Sequence, residues 1–273
     1  MTPSQTINIA RDIMRGDCAL HYFTIEHERI AEKLSDAILS PKGEVILLHG
    51  SAGCGISTLM NALQKQHSLV SKVIGHQIFI DKWDFVDHLC AAYYVRRIRT
   101  YKNLLPEHLL KVISLSQCKT IFIDDLDICI ANEYELREVY GVIQTISSKV
   151  DGLNFVISVR DKRLVSDFLA RAQASCWSSY AVPLKIQIEE YYDLASRIWN
   201  DLNSNHSITV IKDLESLRLH AELELDKAYK RIHLKFVEHF LKQQGLVSEL
   251  TAFKTYWEHD DYIQSILYSC AVR

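Results

Sequence analysis

A chain of 273 residues that is 48% apolar is long enough to bury one α/β core and a smaller helical unit. Its formal net charge of −3 argues against a global basic field for nucleic acid, so any DNA binding would need a local patch. The seven cysteines (18, 54, 90, 118, 129, 176 and 270) lack a C-x-x-C pair and the twelve histidines lack metal-ligand spacing; they read as reduced core thiols of a cytoplasmic protein, not as a disulfide framework or zinc site.

Residues 1–21 read as an arm or first helix, and their polar start, Met1 to Gln5, is no signal peptide. No segment approaches the ~20 apolar residues of a membrane span, so membrane insertion is not expected. An amphipathic helix is predicted over 22–40. The short apolar run Glu44 to His49 then suits a buried parallel strand, and Leu59 and Leu63 mark one face of a helix that follows.

Between that strand and helix lies Gly50-Ser51-Ala52-Gly53-Cys54-Gly55-Ile56-Ser57-Thr58. Gly50, Gly55 and Ser57 satisfy the phosphate-loop pattern G-x-x-x-x-G-K-[ST], but Ile56 stands where the lysine belongs. Glycines let the backbone wrap an anion, while successive N–H groups and the positive helix end attract phosphate oxygens; none of this needs a side chain. Ser57 would place its hydroxyl on the magnesium ion accompanying ATP or ADP. Loss of the lysine removes a charge-assisted contact of about 1.5–3 kcal/mol, or roughly 10- to 100-fold in affinity. Phosphoryl transfer depends on positioning and charge stabilisation, so hydrolysis would suffer more. Three readings stand open: weak binding with slow hydrolysis, a vestigial packing turn, or a cation borrowed from elsewhere.

Val73 to Ile80 reads as the next strand, with helices over Asp84–Arg99 and Glu107–Leu115. The run Tyr93-Tyr94-Val95-Arg96-Arg97-Ile98-Arg99-Thr100-Tyr101-Lys102 interleaves cations with aromatics and is the best candidate for nucleic acid. On a helix the same run also suits a solvated or partner-facing side. The strand Lys119 to Asp124 ends in acids, Asp124-Asp125-Leu126-Asp127. Asp124 takes the place of the acid that orients the magnesium hydration shell, and Asp125 that of a carboxylate polarising the attacking water. An Asp-rich turn capping a buried strand is the structural alternative.

After a helix over 133–148, a third strand covers 153–159. Ligands of doubly wound sheets bind beyond the carboxyl ends of the strands, so Ser158 and Arg160 would face the terminal phosphate. Arg160 either replaces part of the missing lysine charge or pairs with Asp124, Asp125 or Asp161 and neutralises them. A helix after Arg163 leads to Ser175–Ser179, read as a junction, with a short strand or link to Pro183. Beyond it the pattern is nearly all helical, and Leu223, Tyr229, Ile232, Phe236 and Phe240 form a stripe read as core. The 9 glycines and 4 prolines leave no long linker.

Tyr22-Phe23, then His27 to Leu34, the strand and the loop together resemble the start of the AAA+ ATPases related to origin-recognition, secretion-pathway and transposition-regulator proteins. Val182-Pro183-Leu184 with Glu189-Glu190 and Leu194 is similar to the turn that opens the helical lid of that group. Ile123-Asp124-Asp125-Leu126-Asp127-Ile128-Cys129 resembles the I-D-D-L-D-R-C signature of KAP-type P-loop NTPases, with Ile128 replacing the arginine. The matches span about residues 22–200. They imply an α/β P-loop NTPase sheet sandwiched by helices over 22–180, followed by a helical lid domain over 181–273. They also imply ATP binding and self-association. By this resemblance Arg197 would contribute to the bound phosphates from the lid, and Arg163 or Arg171 would reach an adjacent subunit's site. The expected function is an ATP-responsive assembly switch with weak or absent hydrolysis, acting as a homo-oligomer or with a partner protein. A non-catalytic pseudo-ATPase platform and a DNA-associated ATPase of transposition or replication-loader type are the alternatives.

Overall fold

The computed structural model describes residues 1–15, 23–68, 71–74, 84–97, 105–171, 177–213, 215–218 and 223–246. The chain divides into two compact units, one of residues 25–184 and one that joins residues 1–24 to 185–273.

In the first unit, strands β1 (Val45–His49), β2 (Ser71–Ile74), β3 (Thr120–Ile123), β4 (Asn154–Val159) and β5 (Trp177–Ala181) form one sheet in the order β2-β3-β4-β1-β5. All four pairings are parallel. The continuous burial of β3 and β4 is what a parallel sheet covered on both faces requires. Side chains alternate across the sheet. Val45, Leu47, Ile121, Ile123, Phe155, Ile157 and Val159 join one core with residues of α4 (Phe85–Ala92), α5 (Glu107–Leu115), α6 (Glu133–Lys149) and α7 (Lys162–Arg171). Ile46, Leu48, Phe122 and Val156, also buried, point to the other face, with α2 (Ile25–Leu39) and α3 (Ile56–Gln66). Buried Asn154 ties this layer together: its Oδ1 accepts the Glu44 N–H at 2.8 Å and its amide donates to the carbonyls of Ile38 and Ser40.

The sheet corrects two local expectations. β2 begins at Ser71, earlier than the predicted Val73, and residues 75–80 lie outside the described residues. Residues 177–181 are a full edge strand in register with β1, Val45 opposite Trp177 and His49 opposite Ala181; the short strand or link expected before Pro183 is a strand, and it starts at Trp177, inside the stretch 175–179 read as a junction. The polar Ser178-Ser179 pair hid a strand whose hydrogen bonds are made along one edge only.

The second unit packs α1 (Pro3–Arg15), α8 (Ile188–Asn205) and α9 (Leu225–Gln243) around one core. Trp199 stacks edge-on against Phe236 at 5.0 Å and donates its indole N–H to the Val210 carbonyl at 3.0 Å. Of the two readings of 1–21, an arm or a first helix, the described part is a helix, and it is no separate arm, because Ala10, Ile13 and Met14 are buried in this core. Their i, i+3, i+4 spacing makes a stripe that needs cover. Short strands β6 (Lys185–Ile186) and β7 (Leu223–Glu224) pair antiparallel in this unit. In the predicted tail stripe, Ile232, Phe236 and Phe240 are buried, with Leu223 and Tyr229 partly buried against them.

Candidate phosphate-binding site

The loop leaves β1 at His49 and enters α3 at Ile56. Its backbone depends on two glycines in the left-handed region, Gly53 at φ 83° and Gly55 at φ 88°. Other residue types adopt that region only under strain. Gly55 is the N-cap of α3 and has no side chain to cap it, and the first bond of the helix runs from Leu59 N–H to the Gly55 carbonyl. First-turn amides of a helix have no partners inside it, so those of Ser57 and Thr58 remain for an anion. Ser51, Ala52, Gly53 and Ser57 are exposed, and Thr58 is half-buried.

Ile56 lies inward, only 7% exposed. A Cβ on Gly50 would fall 3.2 Å from Ile56 Cδ1, 2.6 Å from Cys54 Sγ and 3.0 Å from the Val182 carbonyl oxygen. The space behind the loop is therefore filled by Ile56 and the Cys54 thiol, which burial pushes above its ordinary pKa. A fully buried histidine holds the loop from behind: His27 on α2 donates from Nε2 to the Cys54 carbonyl at 2.7 Å. No role was predicted for His27, although its place on the stripe of Ile30 and Leu34 shows that it needs a buried partner.

Two acids at the end of β3 are joined by one hydroxyl. Ser158 Oγ donates to Asp124 Oδ1 at 2.6 Å and accepts the Asp125 N–H at 2.6 Å. Phe122 and Asp124 follow the alternation toward the α3 side of the sheet, with one oxygen of Asp124 engaged by Ser158. Asp125 is left-handed at φ 55°, and its buried carboxylate receives both Nε (2.8 Å) and Nη2 (2.5 Å) of Arg160. Of the two readings of Arg160, the geometry gives the pairing with Asp125. The backbone N–H of Arg160 also donates to Asp127, whose carboxyl burial holds above its ordinary range.

Arg197 belongs to the helical unit, where it pairs with Asp193 at 3.3 Å and donates to the Phe23 carbonyl. Arg171 pairs with Glu133, and Arg163 is exposed at the start of α7. In the basic aromatic run the helix ends at Ala92, short of the predicted Arg99. Tyr93 is buried, and the Arg97 guanidinium is clamped by Asp84 and Asp87. These two are therefore not presented to nucleic acid, and 98–102 lie outside the described residues. The described residues contain no cluster of three or more His, Cys, Asp or Glu suited to a metal, and no helix long and apolar enough to cross a membrane.

No protein-family model matches the sequence, and no curated protein matches it by sequence. Solved structures do match in shape. A Walker-type ATPase of Pyrococcus abyssi superposes with a TM-score of 0.56 at 11% identity, over 89% of this chain and 75% of that one. Cdc6p from Pyrobaculum aerophilum gives 0.54 at 11% identity, over 86% and 66%. Domain III of the Thermotoga maritima replication initiation protein DnaA gives 0.51 at 13% identity, over 94% and 98%. With the five-stranded parallel sheet, these matches show an α/β fold of the P-loop NTPase type.

Proposed function

We propose that this protein binds ATP or ADP with magnesium at the Gly50–Thr58 loop and hydrolyses it slowly or not at all, so that the nucleotide acts as a switch for assembly. The observation that carries the reading is the loop itself: Gly53 and Gly55 keep a left-handed backbone and Ser57 is exposed at the uncapped start of α3. Left-handed glycines serve tight packing turns as well; it is their place before an uncapped helix start, beside an exposed hydroxyl, that favours an anion.

The residues present fit a magnesium nucleotide. Loop amides from Ser51 to Thr58, apart from that of Cys54, which donates to the Ser51 carbonyl, would hold the phosphates, and the Ser57 hydroxyl and Asp124 carboxylate would hold the ion and its waters. The ion supplies charge that draws the outer phosphate oxygens together. Ser158 fixes the Asp124 rotamer through its 2.6 Å bond. Hydrolysis is disfavoured twice: Ile56 brings no charge to the loop, and Asp125 has each oxygen engaged by Arg160, whose positive charge opposes protonation of the carboxylate by water. Residence in the cytoplasm and self-association belong to the same reading, with Arg163 and Arg171 as candidates to reach a neighbouring copy and Arg197 to follow nucleotide state in the helical unit.

Titration of the protein with labelled ATP and ADP, with and without magnesium, tests the reading. Saturable binding that tightens with magnesium is expected. Asp124→Asn should abolish most of that magnesium dependence, because the amide keeps the shape and removes the charge. Identical binding by wild type and Asp124→Asn would take Asp124 out of the site, and no binding by wild type would leave the pseudo-ATPase platform as the better account.

A further inference from the structure

Ile56 removes a cation from the loop and Arg160 is held by Asp125, so a bound triphosphate needs its outer charge met from another place. The sheet brings one candidate close. β1 and β4 are adjacent and parallel, with His49 opposite Val159, so both chains leave the same end of the sheet, one turning to α3 on one face and the other to α7 on the opposite face. One continues as the Gly50 loop, the other as Arg160-Asp161-Lys162. Lys162 is the first residue of α7, a helix that packs against both strands. Its side chain is exposed, and its ammonium has no ion-pair or hydrogen-bond partner among the described residues. Its charge is felt at the root of the loop, where burial first and Lys162 second hold the His49 imidazole below its ordinary pKa.

We propose that Lys162 is the substitute cation of this site, reaching from the start of α7 to the terminal phosphate of a bound nucleoside triphosphate. The inference rests on the nucleotide-binding reading given above. An ammonium on a flexible four-carbon stem suits a point contact to a phosphate oxygen, where a planar guanidinium already committed to a carboxylate does not. Arg163 is a poor rival for the same task, since a step of about 100° around the helix turns it away from the direction of Lys162. Asp161 tightens the turn by accepting the Arg163 N–H at 2.8 Å, which sets the first residue of α7 in place.

The test compares the affinities of Mg-ATP, Mg-ADP and AMP for wild type, Lys162→Ala, Lys162→Arg and Lys149→Ala, the last removing a lysine at the far end of α6. Lys162→Ala is expected to weaken Mg-ATP by about 10- to 100-fold, to weaken Mg-ADP less and to leave AMP unchanged. Lys162→Arg should keep most of the affinity, and Lys149→Ala all of it. Ile56→Lys should gain more Mg-ATP affinity in the Lys162→Ala background than in wild type, because the two cations would serve the same phosphate; an equal gain in both backgrounds would show that Lys162 does not share that contact and overturn the assignment. Equal Mg-ATP affinity in wild type and Lys162→Ala, or an equal loss for all three nucleotides, overturns the assignment while the nucleotide reading stands. Absence of any Mg-ATP binding to wild type overturns both.

Discussion

Ile56 sits at the point where the loop departs from its pattern, and the structure shows what the departure achieves. The side chain is buried at the first turn of α3, packed over Gly50 beside Cys54. Ile56→Lys should therefore lower the melting temperature of the nucleotide-free protein, with a loss of about 1–3 kcal/mol from apolar burial given up and an ammonium that must find water or a partner. With Mg-ATP the sign reverses: affinity should rise about 10- to 100-fold through one restored charge-assisted contact, and the mutant's melting shift should exceed that of wild type. Paired melting curves with and without Mg-ATP read both effects. A mutant that melts lower and gains nothing from nucleotide would refute the functional reading of the loop.

Single elements carry their own electrostatic signatures. The turn after β3 is fastened to the end of β4 by Arg160 and Ser158, and Arg160→Ala would leave the Asp125 carboxylate buried without its main cation. Because the Arg160 side chain is 39% exposed, the cost should fall below that of a fully buried pair, at about 1–3 kcal/mol in urea unfolding. Asp125→Asn in the Arg160→Ala background should recover part of it. On α9, burial works against the charge of Glu238, but bonds from Lys242 (2.8 Å) and Lys235 (2.9 Å) outweigh it. The carboxyl falls to about 2 from 4.5, so it contributes stability that is complete above the unfolded value and is lost as pH drops through the folded one. Glu238→Gln should cost about 1–2 kcal/mol at neutral pH, and the gap to wild type should close between pH 4.5 and 2 in denaturation curves taken across that range.

At the scale of the molecule, the proposal is a switch, and a switch must change assembly or partner choice when nucleotide binds. Arg163, exposed at the start of α7, and the AAA+ resemblance both direct attention to a second copy. Light scattering at micromolar protein should show mass rising when Mg-ATP is added, with ADP less effective. A strict monomer under saturating Mg-ATP would end the self-association part of the proposal and shift attention to a different partner protein. It would leave the nucleotide site itself untouched.

Strand, glycine loop, helix and acidic strand were legible in the sequence because each is a local pattern. An apolar run, glycines at fixed offsets and an Asp cluster after a strand state their own requirements without reference to distant residues. The core stripe of α9 was legible for the same reason. The start of β5 at Trp177–Ser179 was not, since an edge strand exists only through the partner that β1 provides, and its serines carry no strand signal of their own. Nor was the destination of α1: an apolar stripe over Ala10, Ile13 and Met14 declares that something must cover it, but only the tertiary structure shows that the cover comes from the distant helices α8 and α9. The choice between an available and a neutralised Arg160 was likewise decided in three dimensions, because a guanidinium takes whichever carboxylate the fold sets within reach, and the left-handed turn at Asp125 sets that one there.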